Sequence, residues 1–129
     1  MSNNSSQIVS EFLHAFMSGE TERASKMVRE DFVFRAPLIE GHSDKAAYFS
    51  GAANKAKHIR AFRILRQWAD NNEVSTFYEL DIETSVGSAT MAISEWHTVV
   101  SGQIASTFMV FDSNAKAARL LGNALGAHH

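Results

Sequence analysis

The chain has 129 residues, 45% of them apolar, and 12 basic side chains against 14 acidic ones leave a net charge of -2. A chain of that length buries ~65–70% of its unfolded surface, enough for one core, so a single domain over residues 1–129, ordered from about 5 to 121 and frayed at both ends, is expected. Balanced charge with no basic run lacks the field that holds a polyanion, and the absence of cysteine excludes disulfides, thiolate metal sites, iron–sulfur clusters and a thiol nucleophile.

Met1 to Gln7 are polar and uncharged with no basic start, and no window approaches the ~20 apolar residues of a membrane span, so neither nucleic acid nor membrane is an expected partner and the expected location is cytoplasmic. Ile8, Val9, Phe12, Leu13, Phe16 and Met17 recur at helical spacing, with Asn4 and Gln7 spaced as a capping box and Gly19 as the stop. A short second helix follows over about Thr21 to Arg29, with Glu20 and Glu22 at its N-terminus and Ala24, Met27 and Val28 as its apolar stripe. Phe32 to Ala36 is strand-like and ends at Pro37, which has no N–H for a ladder. Ser43 is placed to cap a third helix, with Ala46, Phe49, Ala53 and Ala56 on one side. From His58 the period changes to two, giving strands over His58–Asp70, Glu73–Thr84, Thr90–Val100 and Gln103–Asp112, with turns at Asn71-Asn72, Gly87 and Gly102. Three successive hairpins make an antiparallel sheet, and Ala115 to Leu121 reads as a closing helix.

If Asn71-Asn72 closes a two-residue hairpin, Asp70 pairs with Glu73 and strict alternation puts Arg63, Leu65 and Gln67 with Thr76, Tyr78, Leu80 and Ile82 on a mainly apolar face. The opposite face then carries Arg60, Phe62, Ile64, Arg66 and Trp68 beside Phe77, Glu79, Asp81 and Glu83, with Arg60 across from Glu83. Large rings mixed with charges suit a subunit interface, so a homodimer through Phe62, Trp68, Phe77, Trp96 and Phe108 is expected, against a partly covered monomer. In the last hairpin a three-residue loop, Ser101 to Gln103, puts Met91, Ile93, Glu95, His97 and Val99 with Ala105, Thr107, Met109 and Phe111 on one face; a two-residue loop shifts the partners by one.

Three segments carry a family resemblance: "FLHAFMSGETERASKMVREDFVFRAP" from Phe12 to Pro37, Gly41 ahead of the third helix, and "EWHTVVSGQIASTFMVFD" from Glu95 to Asp112. With the order of elements they resemble the nuclear transport factor 2-like superfamily, also known as ketosteroid isomerase-like or cystatin-like, and within it the SnoaL-like branch. The resemblance implies an α+β fold, a curved antiparallel sheet wrapped around three helices as a cone that opens onto an apolar pocket. It implies an activity less directly, because one fold hosts many sites. The ketosteroid isomerases of this fold use an aspartate before the strand-ending proline, a helix-one tyrosine and a buried acid. Those positions read Ala36, Phe12 and Glu95 here, so only the acid is retained. The epoxide hydrolases use an Arg-x-Asp pair that Thr90 to Val100 lacks, and the SnoaL-type cyclases use a histidine and an aspartate to which His97 and Asp112 correspond. By parity Asp112 points away from His97 unless a bulge turns it.

Glu95 and His97, two apart on one strand face, form a carboxylate–imidazole pair able to share a proton, suited as acid and base toward an enolisable carbonyl compound; the bland reading is a satisfied polar patch near the cone mouth. Arg63, the one cation on its expected face, is a candidate anchor for a carboxylate, enolate or sulfonate, or else the partner of a nearby carboxylate. Tyr78 is placed to donate to a ligand carbonyl, or to pack as a plain ring. Phe12, Phe16, Phe34, Tyr78, Thr107, Met109 and Phe111 complete the expected cavity wall. His14, His42 and His58 have no metal-ligand spacing, no phosphate-binding glycine fingerprint or Gly-x-Ser-x-Gly elbow occurs, and neither metal nor cofactor is expected. The expected function is therefore a small-molecule pocket protein for an apolar ligand, with cofactor-free isomerase, cyclase or dehydratase chemistry as its enzymatic form; a non-catalytic ligand-binding or dimerisation module is the alternative.

Overall fold

The computed structural model describes residues 4–37 and 39–126. In chain order the elements are α1 (Ser5–Met17), α2 (Thr21–Lys26), β1 (Val28–Arg35), β2 (Ser43–Asp44), α3 (Lys45–Phe49), α4 (Ala52–Ala56), β3 (Ile59–Asp70), β4 (Glu73–Thr84), β5 (Gly87–Val100), β6 (Gln103–Val110) and α5 (Lys116–Gly126). They form the expected α+β architecture: one six-stranded curved sheet in the order β2-β1-β6-β5-β4-β3, unclosed, with the helices packed on its concave side. Every neighbouring pair is antiparallel except β1 and β6, which run parallel.

Helix α1 buries Val9, Phe12, Leu13, Phe16 and Met17, the apolar spacing of its sequence. It begins where expected, but the capping box does not form: the Asn4 side chain caps nothing, and Gln7 Nε2 donates instead to Glu11 Oε1 at 3.3 Å. Its end is built on Gly19 at φ +83°. There the Gly19 N–H donates to the Phe16 carbonyl and the Glu20 N–H to the Ala15 carbonyl, the 5→2 and 6→1 bonds that satisfy last-turn carbonyls. Two helical expectations need correction. The third helix is two five-residue helices, and its cap is Asp44, which accepts from the Ala47 N–H at 2.9 Å, while Ser43 pairs in β2 with Phe34. The closing helix runs on to Gly126, past the expected frayed end at 122; the rest of the expected frayed ends, 1–3 and 127–129, lies outside the described residues.

Strand β4 keeps strict alternation, burying Val74, Thr76, Tyr78, Leu80 and Ile82, and β5 does the same with Met91, Ile93, Glu95, His97 and Val99. Asp70 pairs with Glu73 as expected, and Gln67 with Thr76. Between Ile64 and Arg66 the register slips by one residue, leaving Leu65 unmatched, so that Ile64 pairs with Tyr78, Arg63 with Glu79 and Phe62 with Leu80. The bulge reverses the parity of Ala61 to Ile64. Phe62 therefore turns inward, its ring 5.3 Å from Tyr78 and 5.0 Å from His14, and is not part of the outer aromatic surface. Arg63 turns outward, where Glu79 accepts from Nε at 2.9 Å and Asp81 from Nη1 and Nη2 at 3.0 and 3.1 Å. The last hairpin has the same device. Its loop has two residues, Ser101 at φ +53° and Gly102 at φ +80°, rather than three; a bulge between Thr98 and Val99 on one side and Ser106 and Ile104 on the other then restores the expected pairs His97–Thr107 and Glu95–Met109. A second slip in β3, between Ile59 and Ala61, takes Arg60 out of its expected place opposite Glu83 in the ladder, yet its Nη1 still donates to Glu83 Oε2 at 2.9 Å.

The bulge in β3 makes a measurable difference. Leu65→Ser, at an exposed bulge position, is expected to change unfolding free energy by less than about 0.5 kcal/mol, whereas Phe62→Ser removes a ring packed on Tyr78 and is expected to cost about 2 kcal/mol or more. Urea denaturation of the two variants ranks them; the opposite order would restore unbroken alternation through β3.

Candidate functional site

The helices leave a pocket of about 280 Å³ at one end of the sheet. Its wall comes from the end of α1 (Phe16), the end of β1 and the chain after it (Phe34, Ala36, Pro37, Ile39), Ser43, α3 (Ala47, Tyr48), Gly51, α4 (Ala52, Lys55), the end of β6 (Met109, Phe111) and α5 (Leu125). Of the residues expected there, Phe16, Phe34, Met109 and Phe111 line it. Phe12, Tyr78 and Thr107 lie in the protein interior and do not reach its wall, and Arg63 is on the outer face of the sheet. The expectation that Arg63 anchors an anion in the cavity is corrected: the bulge at Leu65 gives it two surface carboxylates instead.

Tyr48 was not anticipated, yet its ring lies 4.6 Å from Phe34, 5.0 Å from Phe32 and 5.1 Å from both Phe16 and Phe49 between centroids. Lys55 was also missed. The spacing 48, 52, 55 is a helical stripe that marks all three as one face, but the chain breaks between α3 and α4, and attention to the alanines and Phe49 selects a different side.

Behind the pocket wall lies the pair that the alternation of β5 placed together. Glu95 and His97 are 2% and 0% exposed, with Oε1 of Glu95 2.8 Å from Nε2 of His97. The contact brings carboxylate and imidazole together without an aligned N–H···O hydrogen bond. On its other oxygen Glu95 accepts a short hydrogen bond from the Tyr78 hydroxyl. The Phe12 ring stands edge-on to the imidazole at 6.3 Å. His97 Nδ1 and Thr107 Oγ1, from cross-strand partners, are buried with no hydrogen-bond partner. By contrast Thr76 is satisfied, accepting from Gln67 Nε2 at 3.0 Å while the Ser10 hydroxyl of α1 donates to Gln67 Oε1 at 3.1 Å.

Burial by itself pushes the Glu95 carboxyl upward, but His97 above all, then the Tyr78 hydroxyl and the charge of Lys55, outweigh it and hold the group below the usual carboxylate range. Tyr78 and Tyr48 are pushed the other way, well above an ordinary phenol, by burial and by the Glu95 charge. Burial lowers the Lys55 ammonium, with Glu95 opposing. The cluster is thus an ionised carboxylate held among an imidazole, two neutral phenols and a lysine. Asp112 plays no part in it: it is exposed beyond β6, its carboxylate accepts from the Asn114 N–H at 2.9 Å, and its carbonyl accepts from the Ala115 N–H ahead of α5. Among the described residues no three His, Asp or Glu side chains come together as metal ligands do, and no helix is long and apolar enough to cross a membrane.

A family model described as a SnoaL-like domain matches residues 9–107. No curated protein matches the chain. Among solved structures it is similar to a nuclear transport factor 2-like protein of unknown function from Cytophaga hutchinsonii ATCC 33406, 23% identical with a TM-score of 0.69 over 88% of this chain and 94% of that one. It is similar also to a steroid delta-isomerase from Pseudomonas aeruginosa, 14% identical with a TM-score of 0.76 over 99% and 93%. An LEH-like epoxide hydrolase from M. tuberculosis is 16% identical with a TM-score of 0.75 over 97% and 94%. Likeness at these identities is likeness of fold, and the residues must argue the rest.

The buried carboxylate has a consequence for acid stability. Its folded-state value lies below the ordinary 4.5, so its contribution to stability is present above about pH 4.5 and is lost as pH falls through the folded value. The Glu95→Gln/His97→Gln double variant is expected to lose less stability than the wild type on acidification below about pH 4.5. Thermal melts of both proteins across that range check this, and parallel curves would show that Glu95 does not carry the shift.

Proposed function

Because this chain belongs to the SnoaL-like domain family, we propose that it is a small-molecule pocket protein that takes a compact, largely apolar compound bearing a carbonyl group. The observation that supports this reading is the pocket itself, a concavity with an aromatic and aliphatic wall and three polar lining side chains, Ser43, Tyr48 and Lys55. Its volume of about 280 Å³ lies at the lower end of the range usual for ligand clefts, which favours a small guest. Few polar groups in an apolar wall fix orientation while the wall supplies affinity.

In its enzymatic form Glu95 accepts a proton from carbon and His97 returns one to the new position, a cofactor-free isomerisation, cyclisation or dehydration. Two observations support that form. Met109, whose side chain is flexible, lines the pocket and is the cross-strand partner of Glu95, so its displacement is the shortest way from guest to carboxylate. His97 Nδ1 and Thr107 Oγ1 are buried without partners, a cost that a native core rarely bears without a role for the atoms. The non-catalytic alternative is favoured by a different fact: neither Glu95 nor His97 reaches the pocket wall.

We also infer a homodimer through the convex face of the sheet, where Trp68 is 60% exposed, Trp96 51%, Phe108 39% and Phe77 38%. Phe62 drops out of this surface, and the paired arginines and carboxylates flanking it make it self-complementary in charge.

A fragment library read by thermal shift is expected to yield binders that Ala47→Trp, a bulky residue at the rim of the pocket, excludes; binders indifferent to that change would refute the pocket. On a substrate so found, Glu95→Gln or His97→Gln is expected to lower turnover by ~10²–10⁴ with ligand binding retained, and full activity in both variants would leave the non-catalytic module. Trp96→Glu is expected to give monomers in sedimentation velocity, and an unchanged sedimentation coefficient would remove the dimer.

A further inference from the structure

Among the residues that line the pocket, Lys55 is the one that carries a charge. It is half-buried on α4, its Nζ 5.6 Å from the centroid of the Phe16 ring, with Phe34, Met109 and Phe111 completing the apolar surroundings. Among the described residues its ammonium has neither a hydrogen bond nor a carboxylate within ion-pair distance, whereas Lys45, also partly buried, meets Glu30 at 2.7 Å and the Val28 carbonyl at 2.9 Å. Glu95 is close enough to be felt but is already held by His97 and Tyr78 behind the wall. A cation drawn into an apolar recess loses hydration that one ring face repays only in part. A counter-anion entering the pocket would supply the rest, as a charge-assisted hydrogen bond in a place where water competes weakly.

We propose that the pocket selects compounds that bear a carboxylate, and that Lys55 is the residue that holds it while the apolar tail lies against Phe34, Met109 and Phe111. This rests on the pocket reading above and narrows its ligand class: the guest is a small organic acid, its carboxylate at α4 and its body toward the strand ends. Burial already loosens the proton on Lys55, and an anion at Nζ tightens it again, so binding and charge state support each other.

The probes are 3-phenylpropionate and its primary amide, which share a body and differ in charge, titrated by calorimetry into the wild type, Lys55→Met, Lys55→Arg and Ala47→Trp. The wild type is expected to prefer the acid by ~10–100-fold, the range of a hydrogen bond to a charged group. Lys55→Met is expected to abolish that preference, the acid losing ~10–100-fold in affinity relative to the amide, and Lys55→Arg to keep it. Equal binding of acid and amide to the wild type, or an acid preference that survives Lys55→Met, overturns the proposal and leaves the pocket reading intact, since amide binding blocked by Ala47→Trp reports the pocket independently. Acid binding that persists in Ala47→Trp places the site elsewhere and overturns both.

Discussion

A curved sheet with one covered face must keep its side-chain parity from end to end, because a slip of one residue exchanges everything buried for everything exposed. This chain meets that constraint with register slips, among them one at Leu65 in β3 and one in the last hairpin. In β3 the slip at Leu65 lets the C-terminal half follow the hairpin at Asn71 while the N-terminal half presents Phe62 and Ile64 to the core. In the last hairpin the slip between Thr98 and Val99, which leaves Ala105 unmatched on β6, compensates a two-residue turn, so that Thr107 and Met109 meet His97 and Glu95 from the correct side. The pocket wall depends on the second adjustment, and the helix α1 docking surface on the first. The local twist that a bulge adds contributes to the curvature that makes a concave side at all.

Inside that concave face the energetic tension is between an apolar core and one carboxylate. Glu95 would be costly alone, since an unpaired charge in such surroundings is far less stable than in water. Three neighbours offset the cost: an imidazole, a phenol that donates, and a lysine farther off. Their contributions are interdependent, and removing any one leaves the others with an unbalanced charge. Burial, with the Glu95 charge adding to it, also holds the Tyr48 and Tyr78 phenols well above an ordinary phenol.

Much of this could be read from residue order. The strict period of β4 and β5 placed Tyr78, Glu95 and His97 on one face, and the segments around Gly19, Pro37 and Gly102 carried the family likeness. What could not be read was insertion of a residue without a signature. Ile64 and Leu65 are both apolar, so a period-two pattern assigns either one inward, and the wrong choice carried Arg63 into the cavity and Phe62 out of it. The loop at Ser101 has two residues instead of the expected three, and the compensating bulge keeps Thr107 and Met109 on the expected face while Ile104 replaces Ala105 opposite Val99. Asp44 and Ser43 are both competent caps and both pair with β1, but Asp44 directly precedes Lys45 and it is its carboxylate that reaches the Ala47 N–H. Tyr48 escaped because the two short helices that carry its stripe interrupt the period that would have revealed it.

The parallel pairing of β1 with β6 has a further consequence, in the timing of folding. Val28 lies beside Ile104, and the Ile104 N–H donates to the Met27 carbonyl at 2.9 Å, a bond between residues separated by most of the chain. During synthesis β1 emerges long before its partner exists, while β3, β4 and β5 complete their hairpins within a few residues of one another. Loop closure over that distance costs entropy that local hairpins do not, so β1 with α1 and α2 docks late, onto a meander already formed. Until then the apolar side of the first helix has only nearby chain to cover it, so the native contacts of the N-terminal third are the ones that wait longest for the rest of the chain.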